Sequence, residues 1–325
     1  MADLHGARVF ITGGAGFIGS HIADLSLSAG AASVVVLDDF SRGRLANLDD
    51  ASATGRLEIT EGDIRERHLV NRLAAGADLI FHQAALRITQ AAEEPQRAIE
   101  VMVNGTQHVL DAAVAHKVKK VLSASSASVY GEASRLPMDE SHPFNNRTLY
   151  GAAKLANEQI HRAYADMYDL HYVMLRPFNV YGPRMDIHGV YTEVMVRWLE
   201  RLTENKAPLI FGNGLQTMDF IDVRDVARAY LMAATSDVTD VVLNAGTGVE
   251  TSLLELCRLM AGAMQSDIEP EFQAARAVNA VSRRKAGTEL AATILGFRAE
   301  IPLEQGLSDL VAWFRKQSMA TPSAQ

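Results

Sequence analysis

Two segments of the sequence carry side chains that could move a proton. Tyr150 and Lys154 are four residues apart at the start of a predicted helix, so both side chains project from one face. A lysine ammonium lowers the pKa of a neighbouring tyrosine from about 10 toward the working pH, which makes the phenolate a general base. Ser126 follows a buried strand and could hydrogen-bond the oxygen that loses its proton.

A glycine-rich turn near the N-terminus predicts a dinucleotide site. The segment TGGAGFIG, which ends at Gly19, follows a strand and opens a helix. Gly13 permits the tight turn, Gly16 lets the backbone approach a diphosphate, and Gly19 allows close helix packing. The helix N-terminus favours the anion. The positive nicotinamide ring of such a cofactor would add to the effect of Lys154 on the Tyr150 pKa.

Carboxylates at the ends of the next two strands indicate which dinucleotide is bound. Asp38 ends the second strand, where it can accept hydrogen bonds from both ribose hydroxyls of adenosine and would repel a 2′-phosphate. NAD is therefore predicted rather than NADP, although Arg42 and Arg44 could receive a phosphate. Asp63 ends the third strand, a position suited to the adenine amino group. For both aspartates, capping of a strand end or a helix is the alternative.

The elements that must position these residues alternate along the first half of the chain. Short β-branched runs such as RVFITGG, SVVVLDD and KKVLSASS are separated by helical patterns. This alternation predicts an α/β fold with a doubly wound parallel sheet, or Rossmann domain, over residues 1–177. Gly- and Pro-punctuated loops then indicate a smaller C-terminal α/β substrate domain over 178–325, with the chain returning to the first domain around 215–245.

The composition narrows the function further. The 325 residues include 31 Lys plus Arg against 39 Asp plus Glu, a net charge of −8, which argues against nucleic acid or an anionic membrane as partner. No apolar run approaches about 18 residues, and the N-terminus lacks a long apolar signal segment, so a cytoplasmic protein is predicted. The histidines show no metal-ligand spacing, and no metal site is predicted. Cys257 and His82 are predicted to pack in the core.

A series of ordered segments covers nearly the whole chain: TGGAGFIGSH, LDDFSRG, EGDIRE, FHQAA, Asn104, SSASVYG, YGAAK, RPFNVYGPR, GNGLQTMDF and LGF. Together they resemble the extended short-chain dehydrogenase/reductase family, specifically its nucleotide-sugar epimerases and dehydratases. The resemblance implies an NAD-binding N-terminal domain and a nucleotide-sugar domain after it. It also implies a homodimer formed through two long helices, here at about 95–116 and 150–168.

The resemblance implies a role for each site residue. Tyr150 would deprotonate a sugar hydroxyl while hydride passes to NAD, Lys154 would hold the nicotinamide ribose, and Ser126 would orient the hydroxyl. Phe81 would line the cofactor groove. The predicted cofactor-binding residues are Gly13, Gly16, Phe17, Ile18, Gly19, Asp38, Asp39, Ser41, Arg42, Gly43, Asp63, Ile64, Gln83, Ala84, Ala85, Asn104, Ser125, Tyr150, Lys154 and Pro177. The predicted substrate-binding residues are Arg87, Ser126, Tyr150, Asn179, Arg184 and Arg284.

Two positions distinguish among members of this family. Dehydratases look like Thr-Asp-Glu-Val-Tyr-Gly where this chain has Ala127 and Ser128 in place of the Asp and Glu that remove water. Uronate decarboxylases also resemble the dehydratases in carrying Glu at the position of Ser128. A 4-epimerase needs no further acid or base, because the hydride leaves, the 4-keto sugar rotates and the hydride returns to the other face. The sequence therefore favours a 4-epimerase of a nucleotide sugar such as UDP-glucose or UDP-galactose.

Other substrates and activities stay open at this point. Met218 stands where typical UDP-sugar members have an Arg that pairs with the diphosphate, and Arg87, Arg283 or Arg284 could compensate or be surface residues. Arg184 could bind a hexuronate carboxylate, as in a UDP-glucuronate 4-epimerase or decarboxylase, or pair with a phosphate or a neighbouring Asp. A dehydrogenase or reductase with net NAD(H) turnover, or another NAD-dependent nucleotide-sugar dehydratase, is a further alternative. A non-catalytic NAD-binding protein is disfavoured because Ser, Tyr and Lys are all retained.

Overall fold

The computed structural model describes residues 4–187, 193–274 and 282–320. Seven of its strands form one parallel sheet, and the others form three two-stranded pairs. In chain order the strands are β1 (Arg8–Thr12), β2 (Ser33–Asp38), β3 (Leu57–Glu61), β4 (Leu79–His82), β5 (Lys120–Ala124), β6 (Tyr172–Pro177), β7 (Asn179–Tyr181), β8 (Leu209–Phe211), β9 (Thr217–Met218), β10 (Phe220–Asp222), β11 (Val241–Ala245), β12 (Thr251–Ser252) and β13 (Glu271–Gln273).

The helices are numbered in the same way. They are α1 (Phe17–Ser28), α2 (Asp49–Ala53), α3 (Arg67–Ala74), α4 (Ile88–Glu93), α5 (Pro95–Ile99), α6 (Gly105–Ala115), α7 (Leu149–Tyr168), α8 (Val194–Thr203), α9 (Val223–Thr235), α10 (Leu253–Ala263), α11 (Glu289–Leu295) and α12 (Leu303–Ala320). Short 3-10 helices span Leu45–Leu48 and Ala127–Val129, and a π-helical turn, Glu100–Asn104, joins α5 to α6. None of the helices within the described ranges is long and apolar enough to cross a membrane.

The large sheet has the strand order β11-β6-β5-β4-β1-β2-β3, with every neighbouring pair parallel. Alternate residues of β2 belong to different apolar clusters. Val34 and Val36 pack with α1 and α9, whereas Val35 and Leu37 pack with α3 and α6. The strand is therefore buried on both faces, as its β-branched run requires. This arrangement confirms the predicted doubly wound α/β fold.

The C-terminal half contributes both to this sheet and to a separate core. After β10, helix α9 packs against α1, and β11 pairs with β6 at the sheet edge. A further apolar cluster joins α8, α10 and α12, with Trp198, Met260 and Leu310 among its buried members. Cys257 lies in this cluster, 1% exposed, where burial raises the pKa of its thiol to about 12. The cysteine is thus a packing residue, as predicted, while the division at residue 178 stays a prediction.

Candidate active site

A cleft of about 1330 Å³ opens at the carboxyl ends of the parallel strands. The strand order reverses at β1, between β2 on one side and β4 on the other, and such a switch point is where doubly wound sheets bind ligands. With the exception of Asn104 and Phe81, every residue predicted to contact cofactor or substrate lines this cleft. The local motifs therefore converge on one site, although they come from distant parts of the chain.

The glycine turn forms the floor of the cleft between β1 and α1. Gly13 has a φ of +69°, and a Cβ there would lie 2.7 Å from the backbone nitrogen of Ala84. A Cβ on Gly19 would lie 2.8 Å from Gly14 Cα and still closer to the Gly13 carbonyl. Gly16, the N-cap of α1, has no side chain to accept from the first N–H groups of the helix. Those N–H groups can bind a diphosphate, so the turn fits a dinucleotide.

Asp38 is fixed at the end of β2 and is 7% exposed. Its Oδ2 accepts from the Ala15 N–H at 2.9 Å and its Oδ1 from the Phe40 N–H at 2.9 Å, while burial raises the pKa of the carboxyl. Arg42, which could have received a 2′-phosphate, instead pairs with Asp186. Both features favour an unphosphorylated adenosine ribose, and hence NAD.

Asn104, which was predicted to bind the cofactor, is not part of the cleft lining. Asn104 is exposed and faces a second cavity of about 590 Å³ that Arg65 and Asp111 also line. Asn104 ends the π-helical turn. A π-helix has more residues per turn than an α-helix, so Asn104 and Val101, three residues apart, do not share a face as they would in an α-helix. Val101 faces the cleft instead. Phe81 is also misplaced by the sequence analysis, because it is fully buried in the core and is not part of the cleft lining.

Asp63 lines the cleft as predicted. Its Oδ2 accepts from Arg65 Nη2 at 2.8 Å, and Arg65 also reaches Glu100 at 3.2 Å. The carboxylate is thereby held at the rim of the cleft near the end of β3. Its predicted contact with the adenine amino group stays a prediction.

The three predicted catalytic side chains meet where α7 begins beside the end of β5. Lys154 Nζ donates to the Ala124 carbonyl at 2.6 Å and lies 5.8 Å from the centre of the Tyr150 ring. Ser126 Oγ accepts from the Ser128 N–H at 3.1 Å and lies near enough to the Tyr150 hydroxyl to act on the Tyr150 pKa. Thr148 is the N-cap of α7, and its side chain accepts from the Gly151 N–H at 3.1 Å.

The protein groups set the protonation of this cluster by burial. Removal from water raises the pKa of Tyr150 above its ordinary value, while the Ser126 hydrogen bond acts in the opposite direction. Burial lowers the pKa of Lys154 to about 8, and the Glu158 carboxylate opposes that fall. The sequence predicted that Lys154 and the nicotinamide ring together would lower the Tyr150 pKa. The protein groups alone do not produce this lowering. Desolvation of the phenolate outweighs them.

Positions 127 and 128 lack an acid, as the sequence indicates, and their environments differ. Ala127 is 1% exposed and packs in an apolar cluster with Val129 and Tyr130. Ser128 lines the cleft, where its hydroxyl accepts from Ser126 Oγ at 3.1 Å. Neither position can protonate a leaving hydroxyl.

Of the two arginines that follow β13, only Arg284 faces the cleft. Arg283 is exposed and pairs with Glu250 through two hydrogen bonds of 2.6 and 2.9 Å. Burial lowers the pKa of Arg284, and its buried Nε finds no hydrogen-bond partner within the described residues. Its backbone N–H donates to the Thr217 carbonyl at 2.9 Å, so Arg284 lies beside Met218. Met218 packs against the apolar cluster of α8, α10 and α12.

Two other predicted substrate contacts have partners inside the protein. Arg184 donates to Asp24 at 2.6 Å and to Asp50 at 3.0 Å, which corresponds to the neighbouring-Asp alternative. With two carboxylates already beside it, Arg184 gives no support to a hexuronate substrate. Asn179 donates from Nδ2 to the Asp219 carbonyl at 3.0 Å.

Arg87 lies at the mouth of the cleft, where its Nη1 is 3.5 Å from Glu193 Oε1.

Several cleft residues were missed by the sequence analysis. They come from α12 and from the second turn of α1, namely His21, Asp309, Trp313, Lys316 and Gln317. Nothing in their local pattern signals a site, since α12 looks like an ordinary amphipathic helix. Asp309, Trp313, Lys316 and Gln317 reach the cleft only through the tertiary packing of α12.

The buried histidines are structural. His82 Nδ1 lies 2.6 Å from Thr12 Oγ1, and Nε2 lies 2.9 Å from Thr106 Oγ1, so both ring nitrogens are satisfied in the core as predicted. Across the described part of the chain, no group of three or more His, Cys, Asp or Glu residues is placed to hold a metal ion.

Comparison with known proteins identifies the family. The model of the NAD dependent epimerase/dehydratase family matches residues 9–246. The chain is 37% identical over 314 residues to a UDP-glucose 4-epimerase of Mycolicibacterium smegmatis, covering 96% of this chain and 99% of that protein. It is 31% identical to a Thermotoga maritima UDP-glucose 4-epimerase solved with UDP-glucose, with a TM-score of 0.89 over 96% of this chain and 99% of that one.

A third similar structure is the UDP-N-acetylglucosamine 4-epimerase of Methanobrevibacter ruminantium in complex with UDP-N-acetylmuramic acid. It is 30% identical, with a TM-score of 0.91, and the match covers 96% of this chain and 99% of that one. The chain belongs to the NAD-dependent epimerase/dehydratase family, whose cofactor the glycine turn and Asp38 fit.

Proposed function

We propose that this protein is an NAD-dependent nucleotide-sugar 4-epimerase that interconverts UDP-glucose and UDP-galactose. The observation that carries the proposal is the meeting of Ser126, Tyr150 and Lys154 in one cleft whose adjacent position 128 offers only a hydroxyl. The 4-epimerases among its relatives support the same reaction.

Each of the three catalytic side chains has one role in this reaction. NAD, when bound, supplies a reversible hydride acceptor. Tyr150 takes the proton from the sugar 4-hydroxyl and later returns it, with Ser126 donating a hydrogen bond to the reacting oxygen. The Lys154 ammonium stabilises the phenolate from the same helix face. Because the proton and hydride return in each cycle, no second acid or base is required and none is provided at positions 127 and 128.

The same residues separate this proposal from its alternatives. Removal of water across C5 and C6 requires an acid beside the sugar, and Ala127 is buried away from the cleft while Ser128 has an ordinary hydroxyl. A uronate substrate would need a cation for its carboxylate, and Arg184 is occupied by Asp24 and Asp50. A 4-epimerase of a neutral sugar is therefore the better fit.

Arg284 is proposed to bind the substrate diphosphate in place of the charge missing at Met218, with Asn179 beside it. We expect Arg284→Leu to raise KM for UDP-glucose by roughly 10- to 100-fold, because a hydrogen bond to a charged group contributes about 1.5–3 kcal/mol. Steady-state kinetics with UDP-glucose measures this change. Arg283→Leu is the matched control, since Arg283 pairs with Glu250 outside the cleft, and its KM should stay within about twofold of the parent value. Equal KM values for the two variants would contradict the assignment.

The function itself is tested by proton NMR of the protein with NAD and, separately, UDP-glucose, UDP-galactose, UDP-N-acetylglucosamine and UDP-glucuronate. We expect the C4 epimer of UDP-glucose to appear without net NADH. Epimerisation of only the N-acetylated sugar would move the proposal to that substrate. Sustained NADH accumulation, loss of a carboxyl group, or no change in any spectrum would overturn it.

We further propose that the chain is a cytoplasmic homodimer that pairs through α5–α6 and α7. Exposed apolar side chains lie on these helices: Ile99 is 41%, Met167 64% and Tyr168 50% exposed. Burying them against a second copy would remove this apolar surface from water. Light scattering should give twice the chain mass of 35.3 kDa, and Ile99→Glu with Met167→Glu should give the monomer mass. A monomeric parent protein would contradict the proposal.

A further inference from the structure

Beneath the cleft, α7 is joined to the end of β5 by polar contacts at successive helical turns. Lys154 Nζ donates to the Ala124 carbonyl at 2.6 Å. One turn further along, the Glu158 carboxylate accepts a hydrogen bond from Ser125 Oγ. Ser125 directly precedes Ser126, so the carboxylate holds the strand end that carries the proposed reacting serine.

Glu158 is also the partner of a buried arginine on the neighbouring strand. Arg176, in β6, donates from Nε and Nη2 to the two carboxylate oxygens of Glu158 at 2.8 and 2.6 Å. The side chains are only 4% and 2% exposed. Arg176 Nη1 donates to the Tyr130 hydroxyl at 2.8 Å, and that hydroxyl donates to Asn244 at 2.6 Å. The two charges are therefore fully hydrogen-bonded inside the core.

The contacts continue from this pair to the segment that carries Arg284. Asn244 Nδ2 donates to the Gly287 carbonyl at 3.0 Å, three residues beyond Arg284. A buried ion pair is often no more stabilising than apolar residues of the same volume. The pair is therefore weak evidence for a role in stability, and its hydrogen bond with Ser125 connects it to the strand end at the cleft.

We propose that Glu158 and Arg176 are positioning residues for the reaction: they fix Ser125, and through it Ser126, against the helix that carries Tyr150 and Lys154, and they place a carboxylate one turn from the Lys154 ammonium. This proposal rests on the roles proposed above for Ser126, Tyr150 and Lys154. Neither Glu158 nor Arg176 is part of the cleft lining, so both act through other residues.

The position of the carboxylate has a consequence for protonation. Burial lowers the pKa of Lys154 to about 8, and Glu158 acts against that fall. Removing the carboxylate charge therefore lowers the Lys154 pKa further, and the ammonium is lost at a lower pH. The other titratable or charged groups around Lys154 are Tyr150 and His161 on α7, His82 on β4, Tyr230 on α9 and Arg176 on β6. Burial lowers the pKa of both histidines, so they are neutral across the alkaline range.

The test compares Glu158→Gln with the double variant Glu158→Gln/Arg176→Met in the NAD-loaded enzyme. The single variant leaves a buried unpaired arginine and could fail to fold, whereas the double variant removes both charges. The first measurement is kcat for UDP-glucose against pH. We expect each variant that folds to lose about tenfold or more in kcat, with the alkaline limb moved to lower pH by about one unit in Glu158→Gln and by less in the double variant, which also loses the Arg176 cation.

A second measurement does not depend on turnover. The chemical shift of the Lys154 Cε carbon, in protein labelled at that lysine carbon, reports loss of the ammonium, and Lys154→Met assigns the signal. We expect the Lys154 titration midpoint to fall by about one pH unit in Glu158→Gln and by a smaller amount in the double variant, where loss of the Arg176 cation opposes loss of the carboxylate. A wild-type midpoint together with wild-type kcat in the double variant would overturn the proposal.

Asp225→Asn provides a matched control. Asp225 is 1% exposed and pairs with Arg228 at 2.8 Å, on α9 rather than α7. Its loss should lower the thermal midpoint and leave the Lys154 titration unchanged. If Asp225→Asn moved that titration as far as the double variant does, general loosening would explain the effect and the proposal would fail.

The variant Tyr150→Phe separates this failure from failure of the proposed function. An active Tyr150→Phe enzyme would count against the catalytic roles themselves. If Tyr150→Phe were inactive while the double variant kept the parent kcat and Lys154 midpoint, only the proposed role of Glu158 and Arg176 would be wrong.

Discussion

Tyr150→Phe is expected to lower kcat for UDP-glucose by about 100- to 10,000-fold, the range that a positioned general acid or base contributes. The substitution removes one hydroxyl and leaves the ring, which packs at the edge of the cluster formed by α3, α6 and α7. NAD affinity and the thermal midpoint should therefore stay close to the parent values. Turnover is measured by NMR, NAD binding by fluorescence titration, and stability by thermal unfolding.

Tyr164→Phe is the control on the same helix. The Tyr164 hydroxyl donates to Asp111 at 2.6 Å, outside the cleft, so removing it should leave kcat within about twofold. Near-normal turnover by Tyr150→Phe would refute the general-base role. A loss of NAD binding in parallel with turnover would instead place Tyr150 in cofactor binding.

The parts of the site that the sequence predicted correctly are those set by local geometry. Gly13, Gly16 and Gly19 are recognisable because a tight turn followed by a helix restricts the residue types within a few positions. The four-residue spacing of Tyr150 and Lys154 places both on one helix face wherever that helix packs. Buried parallel strands read as continuous apolar runs, which is why the sheet could also be predicted.

The parts that were missed depend on contacts between distant segments. A π-helical turn before α6 directs Asn104 away from the cleft, and no residue type in that segment predicts such a turn. Arg184 meets Asp24 and Asp50, more than a hundred residues earlier in the chain, so its pairing is a property of the fold. Which of Arg283 and Arg284 faces the cleft likewise depends on a tertiary contact. Arg283 forms an isolated β-bridge with Thr217, and neighbouring side chains point to opposite sides of such a bridge. The sequence does not reveal this pairing.

The second large effect is expected at the glycine turn, where Gly19→Ala and Gly16→Ala should act in different ways. A Cβ on Gly19 would meet the Gly13 carbonyl and lie 2.8 Å from Gly14 Cα, so backbone atoms must move. We expect Gly19→Ala to destabilise the fold by about 1–3 kcal/mol and to abolish measurable NAD binding. Thermal unfolding and a fluorescence titration with NAD measure the two effects.

Gly16→Ala is the matched substitution, since its φ of −76° suits alanine and its Cβ would have only the Gly13 carbonyl within reach, at 3.1 Å. The methyl group would occupy space at the start of α1, where the N–H groups are proposed to receive the diphosphate. We therefore expect a near-parent thermal midpoint with NAD affinity reduced by roughly 10- to 100-fold. If Gly16→Ala instead bound NAD normally, the diphosphate could not lie against this turn, and the placement of the nicotinamide beside Tyr150 would fail with it.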